Sequence, residues 1–402
     1  MALQINHPDM NAQLGRSLIA VHAGCADLGE IDQAVNQITP GNNDHWHNAW
    51  AALAKRTEQR GRDLASEGHT TSAGQYLLRA SEYWRQAFFY HRDDLDNPQL
   101  KTGFAHHRNC FRRACDHLPW HSQFITLTPE QTALRAPMNA VLMQPDSSQT
   151  PRPTIIAPCG FDSTMESGYS LTGYMALQRG MNFFSFEGPG QGAMLYEHGL
   201  PMGPDFEHAA RPAIDWLATQ TGVDRDALIM VGRSLGGYLG ARAAAFDTRL
   251  RLLVCDPGQY DFSEAFISER LDRDTWQQIQ AANPEVESAL QKLLADPEQR
   301  RFFAPRMATL GAKTVGEYMR RQARFSLTEC IEQIQMPVLV LDSAGDFASQ
   351  SETFYQALSA PKTRAPLGPD DGVTGHCGGL GAKVVEAVMF DWIEQQLGTI
   401  SH

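Results

Sequence analysis

Three positions far apart in a 402-residue chain have the side chains of an acyl-transfer relay. Ser234 lies in "VGRSLGGYLG", where Gly232, Ser234 and Gly236 form the pattern G-x-S-x-G. The apolar run "ALIMV" precedes it and a small-residue helical pattern follows, so the spacing predicts a serine on a tight strand-to-helix turn. Small neighbours suit that turn because the serine backbone is strained and the strand and helix approach closely. The amides that open the following helix point at the serine, where they favour a developing oxyanion.

A hydroxyl becomes a nucleophile only beside a base. His376 lies in the Gly-rich loop "DDGVTGHCGGLGA", after the last short strand and before the last helix. The chain order serine, acid, histidine expects its base there. The imidazole needs a carboxylate to orient it and to stabilise its protonated form. Asp346, a few residues beyond the apolar strand of "VLVLDSAGD", is favoured by motif position. Asp342 on the strand end and Asp256 in "VCDPG" are the rivals.

An oxyanion site needs two N–H groups. Leu235 follows the nucleophile and supplies one. The loop "APCGFDSTMES" supplies the other, with Phe161 the expected donor because Gly160 lets the chain turn. Asp162 comes next and reads equally as a partner for a substrate hydroxyl or as a helix cap. Cys159 in this loop and Glu187 in "FEGPGQG" are further substrate-binding candidates, although a turn-stabilising role is the stronger reading of Glu187. The other histidines, including "HWH" at 45–47 and "HH" at 106–107, show no metal-ligand spacing and read as solvated or core residues. The relay calls for no metal and no organic cofactor.

The elements that must hold these groups can be read from periodicity. Residues 1–120 are helical in pattern; "HNAWAALAKRTEQRGRDLASEG" and "SAGQYLLRASEYWRQAFFYH" carry apolar positions at three-to-four spacing. The aromatic stripe Tyr83, Trp84, Phe88 and Phe89 reads as core. At 121–257 a hairpin ("SQFITLTP", "APMNAVLMQP") gives way to alternating short apolar strands and helices, the mark of an α/β fold with a mostly parallel sheet covered on both faces. The alternation stops over 258–335, which reads as a helical cap inserted over the carboxyl edge of the strands. It resumes over 336–402.

Bulk properties narrow the partners. A formal charge of −12 disfavours nucleic acid and anionic membranes. Seven scattered cysteines fit a reducing compartment. The N-terminus lacks a signal-peptide pattern and no apolar run spans a bilayer, so the expected location is cytoplasmic.

Taken together, "GCADLGEI", "NDHWHNAW", "LLRASEYWRQAFFYHR", "CGFDSTMES", "FEGPGQG", "GRSLGGYLGARAAAFDTRL", "DPGQYDF", "VLVLDSAGD" and "GHCGGLGA" resemble the α/β-hydrolases over nearly the whole chain. The resemblance narrows to the branch of 2,6-dihydroxypseudooxynicotine hydrolase and the polyketide-shortening carbon–carbon hydrolases. It implies Ser234 as nucleophile, Asp346 as acid, His376 as base and Phe161 with Leu235 as oxyanion donors. It also implies a helical N-terminal domain over the core and a homodimer. Three departures bear on substrate choice: "CGF" has one glycine where two are usual, Glu187 stands where aspartate is usual, and "SAGDFASQ" lacks an acidic residue and a proline. The implied activity is cleavage of a carbon–carbon bond beside a carbonyl in a polyketide-derived or aromatic ketone. The alternatives are a carboxylesterase or thioesterase, an acyltransferase, and a ligand-binding protein without catalysis.

Overall fold

The computed structural model describes residues 3–263 and 271–398. The parts of the expected segments that fall on 1–2, 264–270 and 399–402 lie outside the described residues.

Five helices open the chain: α1 (Pro8–Ala20), α2 (Leu28–Val35), α3 (Asn43–Ser66), α4 (Thr70–Phe88) and α5 (Pro98–Cys115). Their starts follow from capping chemistry. The Asp27 carboxylate accepts the N–H groups of Gly29 and Glu30, Asn42 accepts that of His45, and Asn97 precedes Pro98, whose missing N–H would be unpaired there anyway. The stripe Tyr83, Trp84, Phe88 and Phe89 is buried as expected, with Trp46 and Trp50 packed beside it.

Eight strands form one sheet: β1 (His121–Leu127), β2 (Met138–Gln144), β3 (Arg152–Pro158), β4 (Asn182–Phe186), β5 (Val223–Arg233), β6 (Leu250–Asp256), β7 (Val338–Ser343) and β8 (Lys362–Leu367). Their spatial order is β1-β2-β4-β3-β5-β6-β7-β8. The β1–β2 hairpin is antiparallel, β2 runs antiparallel to β4, and every pair from β4 to β8 is parallel. The central strands are apolar on both faces. Ile155, Ile229 and Val231 join the core shared with α1–α5 and the C-terminal helix, whereas Ile156, Leu228 and Met230 join the opposite core. Period-two alternation thus serves two apolar layers at once.

The chain reverses direction across the sheet here. It steps from β3 to β4 on one side and returns past β3 to β5 on the other. At such a switch point the loops leaving two neighbouring strands diverge and leave a crevice at their carboxyl ends. The loop after β3 carries Phe161 and the turn after β5 carries Ser234. Strand order therefore makes neighbours of two stretches more than seventy positions apart in sequence, by about the numbering alone.

Between β6 and β7 the described residues form, besides two short 3-10 turns, four α-helices: Arg273–Gln280, Pro284–Lys292, Pro297–Leu310 and Val315–Gln322. The third reaches the N-terminal helices through Arg301, which donates to the Gly41 carbonyl (2.6 Å) and to Asn43 Oδ1 (3.1 Å). No described helix is long and apolar enough to cross a membrane.

Candidate active site

The turn that carries Ser234 is built by exclusion. A Cβ on Gly232 would lie 1.9 Å from the Gly236 carbonyl oxygen, and one on Gly237 would lie 2.1 Å from that of Pro257. Both positions need glycine because backbone from the next element fills the space. Ser234 itself has φ +58°, a left-handed conformation costly for a residue with a Cβ. Its N–H donates to the Asp256 carbonyl at 2.7 Å, which ties the turn to β6. The hydroxyl is thereby lifted off the strand end.

His376 meets it from the loop after β8. Ser234 Oγ lies 2.7 Å from His376 Nε2, and His376 Nδ1 lies 2.8 Å from Asp346 Oδ1. The other Asp346 oxygen accepts the Cys377 N–H at 2.8 Å, and Oδ1 also accepts that of Ala348 at 3.0 Å. Burial works against the charge on Asp346, but the bonds from His376 and these amides hold its pKa below the usual carboxylate range. Burial likewise opposes the imidazolium, and the neighbouring Cys377 and Asp346 override it, so the His376 pKa is raised. Burial keeps the Cys377 thiol protonated, which leaves the Asp346 carboxylate as the partner that raises it. The Phe347 ring lies 4.9 Å from the imidazole, centroid to centroid.

The rival acids are spent elsewhere. Asp342 accepts from Arg364 and from Ser349 Oγ. Asp256 takes Arg233 Nε at 2.9 Å. Arg233 was not singled out by sequence, yet it ties three segments together: besides Asp256, its nitrogens donate to the carbonyls of Leu171 and Cys377, both at 2.8 Å. It thus joins the serine turn to the histidine loop.

Opposite the serine, a Cβ on Gly160 would lie 3.3 Å from Ser234 Cβ, so this loop packs directly on the Ser234 turn. The N–H groups of Phe161 and Leu235 have no hydrogen-bond partner among the described residues. Gln191, also missed in the sequence, holds the loop in place. Its amide donates to the carbonyls of Cys159 (2.6 Å) and Gly160 (3.1 Å), and its oxygen accepts the Gly188 N–H. The signal was available in "GPGQG", where a buried amide side chain interrupts the glycines.

Two expected substrate-binding residues lie beneath the site rather than in it. Glu187 is fully buried, and accepts the Ala193 N–H and the Asn139 amide, both at 2.9 Å. Burial and the neighbouring Glu166 push its pKa up to about 8. Cys159 is buried with Sγ against the Phe186 carbonyl. Each spends its polar atoms on scaffold because the turn after β4 is packed under the loop after β3. Asp162 is different. Arg16 of α1 lies 2.8 Å from it and Arg92 3.8 Å, and despite burial these cations hold its pKa well below the ordinary range. His107 of α5 adds a second tie, with its ring nitrogens at 2.8 Å from the Ser81 carbonyl and from Thr164 Oγ1. The N-terminal helices thus grip the loop that faces the serine.

A mostly parallel sheet with a serine turn at the switch point and a histidine loop after the last strand defines the α/β-hydrolase class. The chain belongs to the Alpha/beta hydrolase family, whose model matches residues 155–384. It is 29% identical to hydrolase acrC of Aspergillus aculeatus over 408 aligned positions, covering 95% of each chain. It is 26% identical to the 20-hydroxy-prefusarin hydrolase FUS2 of Gibberella moniliformis, covering 92% of each. Among solved structures, 2,6-dihydroxy-pseudo-oxynicotine hydrolase superposes with a TM-score of 0.72 at 22% identity, over 94% of this chain and 95% of that one. That last likeness concerns the fold.

Proposed function

We propose that the protein is a serine hydrolase that cleaves a carbon–carbon bond beside a carbonyl in a polyketide-derived or aromatic ketone. The observation that carries this reading is the unbroken hydrogen-bond chain from Ser234 Oγ through His376 to Asp346, at 2.7 and 2.8 Å. In the proposed cycle His376 Nε2 takes the Ser234 proton as Oγ bonds to the carbonyl carbon. The N–H groups of Phe161 and Leu235 receive the oxyanion. The carbonyl then re-forms, the carbon–carbon bond breaks, and its electron pair leaves on the enolate carbon, which takes the proton from His376. Water gives a proton to the same imidazole and attacks the acyl ester; as the ester C–O bond breaks, the imidazolium returns that proton to Ser234 Oγ and a carboxylic acid is released.

A carbon leaving group is poor, so it benefits from a site screened from water. The helices that precede β1 and those between β6 and β7 support this, being joined to each other through Arg301. The relative named a 20-hydroxy-prefusarin hydrolase supports hydrolysis as the reaction.

A fluorophosphonate probe tests the nucleophile. Wild-type protein is expected to label, and Ser234→Ala to lose labelling and at least about 10⁴-fold of turnover. Offered a 1,3-diketone and a simple aryl ester, the protein is expected to release acid and ketone from the diketone. Ester turnover without diketone cleavage makes it a carboxylesterase instead.

A further inference from the structure

We propose that His376 and Cys377 form a binding site for a thiophilic divalent cation of the zinc class, and that the ion, once bound, switches Ser234 off. The switching rests on the serine-hydrolase reading; the binding does not.

The histidine loop gathers donors of the right kind. Asp346, His376 and Cys377 each offer one metal-ligating atom, all within 4.8 Å of one another, and no second such group occurs among the described residues. Cys377 has φ +54°, a left-handed turn, and Gly375 and Gly378 close by also have positive φ. The thiol is thereby folded back beside the ring of its own neighbour, with Sγ 3.6 Å from His376 Nε2. Zinc holds nitrogen at about 2.0 Å and thiolate sulfur at about 2.3 Å, so at a tetrahedral angle the two donors stand about 3.6 Å apart. The observed separation is the bite of a single ion.

The surroundings suit a metal as well. A histidine that ligates through one nitrogen ordinarily donates from the other to a carboxylate, which fixes its tautomer. His376 Nδ1 faces Asp346 Oδ1 at 2.8 Å, which leaves Nε2 as the ligating atom. Sγ lies 3.2 Å from the Asp256 carbonyl, an acceptor already paired with the Ser234 N–H at 2.7 Å. The thiol can therefore lose its proton without stripping that carbonyl of its partner. The imidazole is within reach from outside, since 22% of its side chain is exposed. Thiolate with imidazole selects zinc and its thiophilic relatives over calcium and magnesium, which prefer oxygen.

Binding has a chemical consequence. The ion bonds to Nε2 and Sγ, and the thiol proton is released to solvent. Ser234 Oγ, 2.7 Å from Nε2, then faces a nitrogen whose lone pair is committed to the metal. The imidazole can no longer take the serine proton. The ion is an inhibitor, with no part in the catalytic cycle.

Cadmium titration of the full-length protein, in buffer free of thiols and chelators, reads binding without turnover. Wild type is expected to develop the ultraviolet thiolate-to-cadmium band, saturating at one ion per chain. Cys377→Ser, which keeps the shape and a polar hydrogen, is expected to lose that band, as is Cys377→Ala; thermal melts confirm that each is folded. Fluorophosphonate labelling reads the consequence. Zinc or cadmium is expected to slow labelling of wild type by about tenfold or more, and that of Cys377→Ser far less, each against its own metal-free rate. Calcium is expected to slow neither. A band absent from wild type, or one that persists in both folded variants, overturns the site. Binding that leaves the labelling rate unchanged overturns the switch. Wild-type protein that never labels, yet shows a band lost with Cys377, overturns the serine reading and leaves the metal site standing.

Discussion

The two walls that face each other across Ser234 are held by different means. On the Ser234 side, backbone does the positioning: Gly232 and Gly237 admit neighbouring carbonyls where a Cβ cannot go, and Ser234 adopts φ +58°. On the Phe161 side, side chains from distant elements do it: Gln191 holds the carbonyls of Cys159 and Gly160, while Arg16 and Arg92 hold Asp162. A backbone-built wall fails as a unit, whereas a side-chain-built wall can be loosened one bond at a time. Substitutions on the second wall should therefore tune the reaction that those on the first abolish.

The largest effect expected short of removing the serine is at Asp346. Asp346→Asn leaves His376 without its charged partner and is expected to lower kcat by roughly 10⁴-fold. The base must be neutral to accept a proton, so wild-type activity should climb with pH through a pKa above the ordinary 6.5. Removing the carboxylate lowers that pKa, and the inflection of the residual activity should move to lower pH. An unmoved inflection assigns the titration to another group.

Gln191→Leu comes next. It frees the carbonyls of Cys159 and Gly160, so the Phe161 N–H loses its fixed direction. A kcat lower by roughly 10- to 100-fold is expected, with little change in KM, because the donor acts on charge that develops only in the transition state. A loss confined to KM would separate Gln191 from the oxyanion wall.

Arg16→Gln removes the nearer partner of Asp162 while Arg92 remains. The rate of fluorophosphonate labelling is expected to fall by about tenfold, since the loop is loosened rather than lost. A labelling rate equal to wild type would mean that the N-terminal helices do not set this wall.

The smallest effect concerns Glu187, under both walls. Its folded pKa of about 8 lies above the ordinary glutamate 4.5, so between those values the native state holds a proton that the unfolded chain has released. Stability should then decline as pH rises from about 4.5 to about 8 and level off above. Glu187→Gln keeps the shape without the titration and should flatten that decline in denaturant melts. A decline of unchanged slope would point to other groups.

The same comparison explains what could be read in advance. Ser234, His376 and Asp346 lie in segments whose local pattern is forced by the backbone they occupy, so glycine spacing, strand ends and chain order pointed to three side chains that the structure brings within hydrogen-bond reach. The apolar strands were legible because burial on both faces leaves a continuous run, and the helices because their caps and periodicity are local. Arg233 lay inside the recognised motif, but nothing in its neighbours announced that it would reach Leu171 and Cys377. The burial of Glu187 and Cys159 was hidden for the converse reason, since a residue type says nothing about which side of a turn it ends up on; the turn-stabilising reading of Glu187 agrees with its bonds to Asn139 and Ala193.

Sequence alone determined the class of fold and the strand-to-helix turn under the serine, because each depends on patterns among residues adjacent in the chain. Only the tertiary structure decided which loops meet. The β4-β3-β5 order sets the loop of Phe161 beside Ser234, and the packing of α1 brings Arg16 to Asp162. Those contacts depend on how separately folded apolar faces stack, and stacking is settled by the whole core, not by any one stretch of it.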